Sequence, residues 1–167
     1  MRLLKTLKCL AEATVILEYA LTRKNAHEPE RANPSDAGLD VFYSPDLDNQ
    51  AISIGPGDSK VIPTGLRFGV PHGYMLEVKN RSSVAAKRSL IVGACVVDSG
   101  YDGEVFVNLH NVGSTTQYIR SGDKIAQLVM IPVVHFRTMQ SESGNLYHNP
   151  ITISDRGDGA LGSTDNA

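Results

Sequence analysis

The segment from Val96 to Glu104 places an isolated acid where a turn would hold it in one position. Two valines lead to Asp98, Gly100 permits a sharp reversal, and Tyr101 precedes the next apolar run. A carboxylate held at the end of a strand beside an open face can act as a general base. The plainer interpretation is a hairpin in which Asp98 only caps the turn. Taken alone, this segment leaves both interpretations open.

Two further segments carry groups that suit phosphate oxygens. Arg81, Ser82 and Ser83 stand at the start of a short predicted helix, where unpaired backbone N–H groups favour an anion. Near the C-terminus, Arg156 precedes a glycine-rich run, and an arginine can bind phosphate oxygens in a bidentate way. That run lacks the lysine of a P-loop. Helix capping and a tail without a role are the alternative interpretations.

Short strands must position these groups. Runs rich in valine or isoleucine recur between Gly, Pro, Asp, Asn and Ser, which predicts an all-β domain with many turns. One helix is predicted over Ser82 to Arg88, with a serine capping its start. These elements indicate a small β-barrel or sandwich with a loose C-terminal arm. The predicted strands cover residues 14–21, 37–43, 51–54, 60–70, 74–79, 90–97, 104–110, 116–119 and 125–134.

Composition excludes several classes of protein. The 167 residues fit one domain, and a hydrophobic content of 41% is enough for a core. Lys and Arg number 16 against 18 Asp and Glu, a balance that argues against a general nucleic-acid binder. Cys9 and Cys95 form no CxxC motif, so neither a disulfide framework nor a zinc site is expected. No apolar run approaches the roughly 18 residues of a membrane span. Because Lys5 and Lys8 interrupt the first apolar stretch, a signal peptide is not expected, and we expect a cytoplasmic protein.

Five segments, in order along the chain, resemble the motifs of the trimeric deoxyuridine triphosphatase (dUTPase) family. They are Asp36 to Asp40, Arg81 to Lys87, Val96 to Glu104, Gly122 to Leu128 and Arg156 to Thr164. Each is weak alone, but their order and spacing make the resemblance specific. It implies an all-β, dUTPase-like β-barrel or jelly roll of the β-clip type, with one short helix and a flexible Gly-rich C-terminal arm.

The resemblance also implies a division of the chain and an assembly. Residues 1–13 form an N-terminal extension, for which a short helix is one interpretation. Residues 14–153 form the β-domain, and residues 154–167 form the arm that closes the active site. The implied assembly is a homotrimer with active sites at subunit interfaces, with no direct nucleic-acid partner and no membrane. A bacterial, viral or phage origin suits such a chain.

By similarity, the chain is an enzyme that hydrolyses dUTP to dUMP and pyrophosphate. This activity keeps uracil out of DNA and supplies dUMP for thymidylate synthesis. Asp98 would orient and deprotonate the water that attacks the α-phosphorus. Tyr101 would lie against the deoxyribose and leave no space for a 2′-hydroxyl. The backbone of Cys95, Val96 and Val97 would pair with the edge of uracil.

Phosphate and metal binding follow from the same resemblance. Mg²⁺ would bridge the three phosphates and neutralise charge at the α-phosphorus, and Asp40 would contact that ion through water. Arg156 would meet the γ-phosphate as the tail closes. The other groups expected to hold or support the phosphates are Arg81, Ser82, Ser83 and Gln127.

Two residues depart from the family pattern. Leu161, before Gly162, stands where the family usually has a phenylalanine. A leucine can cover the uracil ring but loses aromatic stacking, worth ~1 kcal/mol. Cys95 occupies a place often held by glycine in the uracil hairpin. If glycine is needed there for a positive φ, this hairpin must be built slightly differently. Both departures concern affinity more than the type of reaction.

Two other functions compete with dUTP hydrolysis. The dCTP deaminases share the fold, but the position of their catalytic glutamate is Asn108 here, and Cys95-Val96 replaces their His-Arg pair. The second alternative is a trimeric nucleotide-binding or regulatory protein with weak catalysis. The presence of Asp98, Tyr101 and Arg156 favours an active enzyme.

Overall fold

The computed structural model describes residues 15–47, 49–144 and 146. The chain divides into two units at the Val134–His135 junction. Every helix and strand given below belongs to the first unit, and the described residues of the second contain neither. The extension predicted for residues 1–13 and the arm predicted for residues 154–167 lie outside the described residues. Within the described ranges, no helix has the length and apolar character needed to cross a membrane.

Short strands dominate the described residues, as the predicted all-β domain requires. Val- and Ile-rich runs form the strands, and turn residues end them. The elements are β1 (Glu18–Leu21), β2 (Leu39–Phe42), β3 (Ala51–Ile54), β4 (Ser59–Pro63), β5 (Leu66–Gly69), β6 (Tyr74–Lys79), α1 (Ser82–Arg88), β7 (Leu90–Val92), β8 (Val96–Val97), β9 (Phe106–Asn111), β10 (Gln117–Arg120) and β11 (Lys124–Pro132).

The strands pair antiparallel in small sheets that surround one aliphatic core. The largest sheet has the order β2-β11-β6-β8, a second has the order β4-β9-β7, and β1-β5 and β10-β3 are two-stranded. Burial alternates along β9, where Val107 and Leu109 are fully buried while Phe106 is exposed. Because β6 leads into α1 and pairs with β8, the largest sheet positions the chemical segments predicted from the sequence.

Two of the predicted strands are interrupted. The run 60–70 breaks between β4 and β5, because Gly65 has φ of 72° and a Cβ there would lie 2.4 Å from the Cβ of Ala26. The run 90–97 breaks between β7 and β8 at Gly93, where side chains of β9 occupy the space that a Cβ would need. In both places the chain turns so that a distant segment can approach its backbone.

The helix lies where the sequence predicts it, but its start is not capped as predicted. The N-cap is Arg81, whose backbone is extended (φ −85°, ψ 133°) and whose side chain makes no capping hydrogen bond. The predicted serine cap is therefore wrong, because Ser82 is already the first helical residue. At the other end Ser89 adopts a left-handed conformation, and its N–H donates to Ala85 O at 3.1 Å. The uncapped start leaves first-turn amides that are not paired within the helix.

The hydrogen bonds of the buried Asn111 side chain can be tested by their contribution to stability. The Asn111 amide donates to Ile54 O and Thr115 O at 2.8 Å each, and its Oδ1 accepts from Gly113 N at 3.0 Å. We expect Asn111→Ala to lower the free energy of unfolding by about 3 kcal/mol, since a buried side chain loses three hydrogen bonds. In urea unfolding, the control Gln117→Ala, at a less buried amide, should cost less than about 0.5 kcal/mol. Equal losses for the two variants would contradict this role of Asn111.

Candidate active site

A polar cavity of about 350 Å³ lies where β2, β11 and the junction of β6 with α1 meet. The register of β11 explains the meeting, because Gln127 lies opposite Asp40 on one side and Lys79 on the other. Three of the sequence segments predicted to form a site are thereby brought together. The cavity is lined by Ala32, Asp36, Ala37, Gly38, Asp40, Arg81, Ser82, Ser83 and Gln127.

A buried carboxylate with two cationic partners forms one wall of this polar cavity. Asp40 is 7% exposed, and its carboxylate accepts from Arg81 Nε at 2.7 Å and lies 3.0 Å from Lys124 Nζ. The hydrogen bond to Glu30 has the largest effect on the pKa of Lys124 and raises it above its ordinary value of 10.5. The hydrogen bond to Asp40 raises this pKa further. The pair with Asp40 uses one of the five N–H donors of Arg81, so the guanidinium is oriented while keeping capacity for a ligand.

The start of α1 contributes donors to the same cavity. Ser82 and Ser83 are exposed, and the first helical turn contains no acidic residue. The first amides that return to Arg81 O are those of Val84 and Ala85, at 3.0 and 2.9 Å. The amides before them have no intrahelical acceptor. These amides and the two serine hydroxyls suit the oxygens of an anion.

Gln127 and Gly38 shape a second wall of the polar cavity. The Gln127 amide donates to Asn80 O at 2.8 Å, across the junction of β6 with α1. A Cβ on Gly38 would lie 1.9 Å from Gln127 Oε1 and 2.6 Å from its Cδ. Only glycine at position 38 therefore lets the Gln127 side chain lie in this place.

A second, mostly apolar cavity of about 250 Å³ holds the predicted acid at its edge. Asp98 is exposed, and its turn is closed through its main-chain oxygen, which accepts from Tyr101 N at 3.2 Å. Gly100 has φ of 89°, and Ser99 Oγ donates to Val70 O at 3.1 Å. The turn is thus held without use of the Asp98 carboxylate. The cavity is lined by Val78, Ala94, Val96, Val97, Asp98, Tyr101, Glu104, Val105 and Phe106.

The predicted base-binding backbone lies on the edge of the largest sheet. Val97 is opposite Leu76, and Cys95 O accepts from Val78 N at 2.7 Å. In the described residues β8 has β6 as its one neighbour, so its other side carries main-chain donors and acceptors that no strand covers. Such an edge can pair with a planar group that has both a donor and an acceptor.

The ring of Tyr101 is folded back over its own turn. Its hydroxyl donates to Glu104 O at 2.9 Å, and a Cβ on Gly103 would lie 2.4 Å from that hydroxyl. The ring lines the apolar cavity and is 47% exposed. Its position therefore depends on the absence of a side chain at residue 103 and on the location of the Glu104 carbonyl.

The predicted site residues fall into two separate groups within one chain. The two cavities share no lining residue. Asp98 follows Val97, which pairs with Leu76, whereas Gln127 pairs with Lys79. At about 3.3 Å per residue, the three residues from Leu76 to Lys79 place Val97 and Gln127 about 10 Å apart along β6. The predicted tail residues Arg156, Leu161 and Gly162 lie outside the described residues.

Sequence reasoning missed two features of these cavities. Lys124 lies inside the segment Gly122 to Leu128, but its pairing with Asp40 depends on the register of β11. The contact of Arg23 with Glu104 joins residues far apart in sequence, and no sequence motif predicts it. A larger groove of about 490 Å³ lies along β1 and β5, and none of the site residues predicted from the sequence lines it.

The described residues do not form a metal cage by themselves. Among them, no three His, Cys, Asp or Glu side chains cluster closely enough to hold an ion. The oxygens of Asp40, predicted to reach Mg²⁺ through water, are engaged by Arg81 and Lys124. Mg²⁺ prefers several oxygen ligands and is commonly held through substrate phosphates. This donor set fits an ion that arrives on a phosphate chain, not one bound by protein groups alone.

Residues 24–164 match the family model described as dUTPase. The chain belongs to the dUTPase family. A deoxyuridine 5'-triphosphate nucleotidohydrolase from Gloeobacter violaceus is 36% identical over 138 residues, covering 81% of this chain and 87% of the relative. A protein of the same name from Desulfotalea psychrophila is 39% identical over 142 residues, covering 83% of this chain and 85% of that relative. The family predicted from five short motifs is confirmed.

Solved structures of phage dUTPases share the fold. The Staphylococcus bacteriophage 80alpha dUTPase with dUPNHPP has a TM-score of 0.75 at 26% identity, covering 90% of this chain and 99% of that one. The dUTPase from phage phi11 of S. aureus has a TM-score of 0.69 at 27% identity, covering 77% and 97%. A mutant of the phi11 dUTPase, with a TM-score of 0.68 at 27% identity, was solved with a structural Mg(II) ion; the match covers 77% of this chain and 97% of that one. The predicted all-β dUTPase fold is confirmed.

The contact between residues 38 and 127 gives a test of the polar cavity. We expect Gly38→Ala to raise the KM for dUTP by about tenfold, because the new Cβ displaces the flexible end of Gln127 into the cavity. Stability should change little, since that side chain can move. The control is Gly69→Ala, whose nearest neighbour is Glu18 Cβ at an ordinary 3.8 Å. If steady-state kinetics gave the same KM for dUTP in both variants, Gly38 and Gln127 would have no role in substrate binding.

Proposed function

We propose that this chain hydrolyses dUTP to dUMP and pyrophosphate, with Asp98 as the general base. The observation that supports the assignment best is the exposed carboxylate of Asp98 at the rim of an apolar cavity, on a turn closed by backbone contacts. In a dUTPase-family chain, such a carboxylate faces the place where a nucleoside triphosphate binds. The reaction removes dUTP from the nucleotide pool, which keeps uracil out of DNA, and supplies dUMP for thymidylate synthesis.

The chemical step uses one water and one carboxylate. Asp98 accepts a proton from the water while the water oxygen forms a bond to the α-phosphorus. The bond from that phosphorus to the bridging oxygen of the β-phosphate breaks, and pyrophosphate leaves. A carboxylate is a weak base unless it is positioned, so the rigid turn accounts for its effectiveness.

Base and sugar selection belong to the same cavity. The uncovered edge of β8, with the backbone of Cys95, Val96 and Val97, pairs with the edge of uracil in this proposal. The Tyr101 ring lies against the deoxyribose and occupies the space of a 2′-hydroxyl. The apolar side chains around them accept the flat faces of the base. Discrimination between dUTP and UTP then depends on whether the sugar fits against the Tyr101 ring.

The polar cavity takes the phosphates in this proposal. Arg81 offers guanidinium donors while Asp40 orients it, and Ser82 and Ser83 add hydroxyl and amide donors. Gln127 supports the wall through Asn80. Phosphate oxygens of the bound triphosphate would hold Mg²⁺, which would neutralise charge at the α-phosphorus, and Asp40 would contact the ion through water.

The C-terminal arm, proposed to begin at residue 154, completes the site. Arg156 binds the γ-phosphate, and Leu161 with Gly162 covers the uracil ring. Closure of such an arm excludes water and strengthens the charged contacts around the phosphates. The remaining site residues belong to the β-domain of residues 14–153, which follows the extension of residues 1–13.

We further propose a homotrimer in which each site combines groups from different copies. The separation of Asp98 from the polar cavity supports this, because a base must lie within hydrogen-bonding reach of its water. A second copy can supply the missing half of each site. The alternative of a trimeric regulatory protein with weak catalysis is not favoured, since Asp98, Tyr101 and Arg156 are all present.

Loss of the base should separate catalysis from folding. We expect Asp98→Asn to lower turnover by roughly 10²–10⁴ without changing the melting temperature, because the turn does not use the carboxylate. Pyrophosphate release from dUTP at saturating Mg²⁺ measures the effect, with dCTP, dTTP and UTP for comparison. The matched control Asp102→Asn removes an exposed acid of the same turn, which pairs with Arg67 at 3.2 Å, and should keep near wild-type turnover. A fully active Asp98→Asn enzyme would refute the mechanism.

Mixed assemblies should test whether sites are shared. Ser83→Asp keeps an exposed helix start, where an acid is tolerated, but repels phosphate. Neither Ser83→Asp nor Asp98→Asn alone should hydrolyse dUTP efficiently. Co-expressed in equal amounts, they should recover about a quarter of wild-type activity, since that share of sites combines two intact halves.

The matched control for the mixing experiment pairs Asp98→Asn with the double variant Ser83→Asp/Asp98→Asn. No site in that mixture has a base, so it should stay inactive. If each copy builds its own complete site, the first mixture should be as inactive as the control. Recovery in the first mixture alone therefore identifies sites shared between copies.

A further inference from the structure

An ion pair joins the last residue of the segment Val96 to Glu104, which carries Asp98 and Tyr101, to a residue outside every motif. Arg23 Nη2 is 2.5 Å from Glu104 Oε2, and the two side chains are only 18% and 13% exposed. The other Glu104 oxygen accepts from Gly65 N at 2.8 Å, and Thr22 Oγ1 lies 3.4 Å from Oε2. The carboxylate of Glu104 is thus held from two sides by groups remote in sequence.

The main chain of the same glutamate sets the position of the tyrosine ring. Glu104 O accepts the Tyr101 hydroxyl at 2.9 Å, and the ring crosses the space above Gly103. A shift of the Glu104 main chain moves this acceptor, whose peptide unit is also held by Val105 N donating to Leu66 O at 2.8 Å. The contacts of the Glu104 carboxylate restrain the same main chain and with it the place of the ring.

Arg23 also has contacts that do not involve the turn. Its guanidinium donates to Ser44 O, and its Nε lies 3.2 Å from Asp46 Oδ1. A residue that only anchored the N-terminal segment would need these contacts and no others. The contact with Glu104 adds a connection from that segment to the apolar cavity, which Glu104 lines.

We infer that Arg23 and Glu104 are positioning residues for sugar discrimination: the pair holds the Tyr101 ring where it excludes a 2′-hydroxyl. This inference rests on the proposed dUTP hydrolysis. Loss of the pair lets the ring move away from the sugar, so the 2′-hydroxyl of UTP is rejected less strongly. An anchoring role alone would lower the activity on both substrates in the same proportion.

The test is the ratio of kcat/KM for dUTP to that for UTP, measured in full-length variants. We expect Arg23→Met to lower this ratio by about tenfold, in the same direction as Tyr101→Ala. The double variant Arg23→Met/Tyr101→Ala should show no further loss, because both changes act on one ring. Arg23→Lys should recover part of the ratio, since a lysine keeps the charge but cannot bind Glu104 and Ser44 together.

Matched controls remove neighbouring charges and leave the contact between Arg23 and Glu104 in place. Asp46→Asn deletes the exposed partner of the same arginine, and Arg67→Met deletes a cation beside the same turn. Both should keep the wild-type ratio. Should Arg23→Met fail to fold, Glu104→Gln makes the same comparison, because its amide oxygen still accepts from Gly65 N while the ion pair is lost.

An unchanged ratio in Arg23→Met and Glu104→Gln, with a lower ratio in Tyr101→Ala, would overturn the inference and leave the proposed function intact. Additive losses in the double variant would overturn it as well. A wild-type protein that does not hydrolyse dUTP would refute the proposed function and this inference together.

Discussion

The buried carboxylate of Asp40 and its two cations constrain the polar half of the molecule. An isolated carboxylate in this position would be costly to bury, so Arg81 and Lys124 must both be present when β2 and β11 pair. Arg81 lies where β6 passes into α1, and Lys124 begins β11. Because the same contact orients the Arg81 guanidinium, the interaction that assembles this part of the sheet also positions Arg81 for the proposed phosphate site.

The apolar half is organised by the opposite end of β6. There the short strand β8 pairs at the edge, and the turn after it exposes Asp98 while Gly103 leaves space for the Tyr101 ring. One strand thus connects the polar cavity with the apolar cavity. In the proposed homotrimer a second copy completes each site, so assembly and catalysis depend on each other.

Local signals predicted the elements well, and long-range contacts explain the errors. The helix over 82–88 follows from a run of good helix formers ended by a residue in the left-handed conformation. The break at Gly65 depends on Ala26, and the break at Gly93 depends on side chains of β9, so no local pattern could predict either. The serine cap failed because Ser82, with the right chemistry for a cap, already has helical backbone angles.

The sequence by itself determined the family, the all-β class and the residue types that carry the chemistry, because five ordered motifs each retain a local spacing that does not depend on packing. It also indicated Asp98 and Tyr101 as a pair on one turn. Only the tertiary structure decided that the predicted site residues form two separated groups, and that Lys124 balances Asp40. Strand register and the approach of distant segments set those relations, and register is decided by the packing of the whole sheet rather than by any one segment.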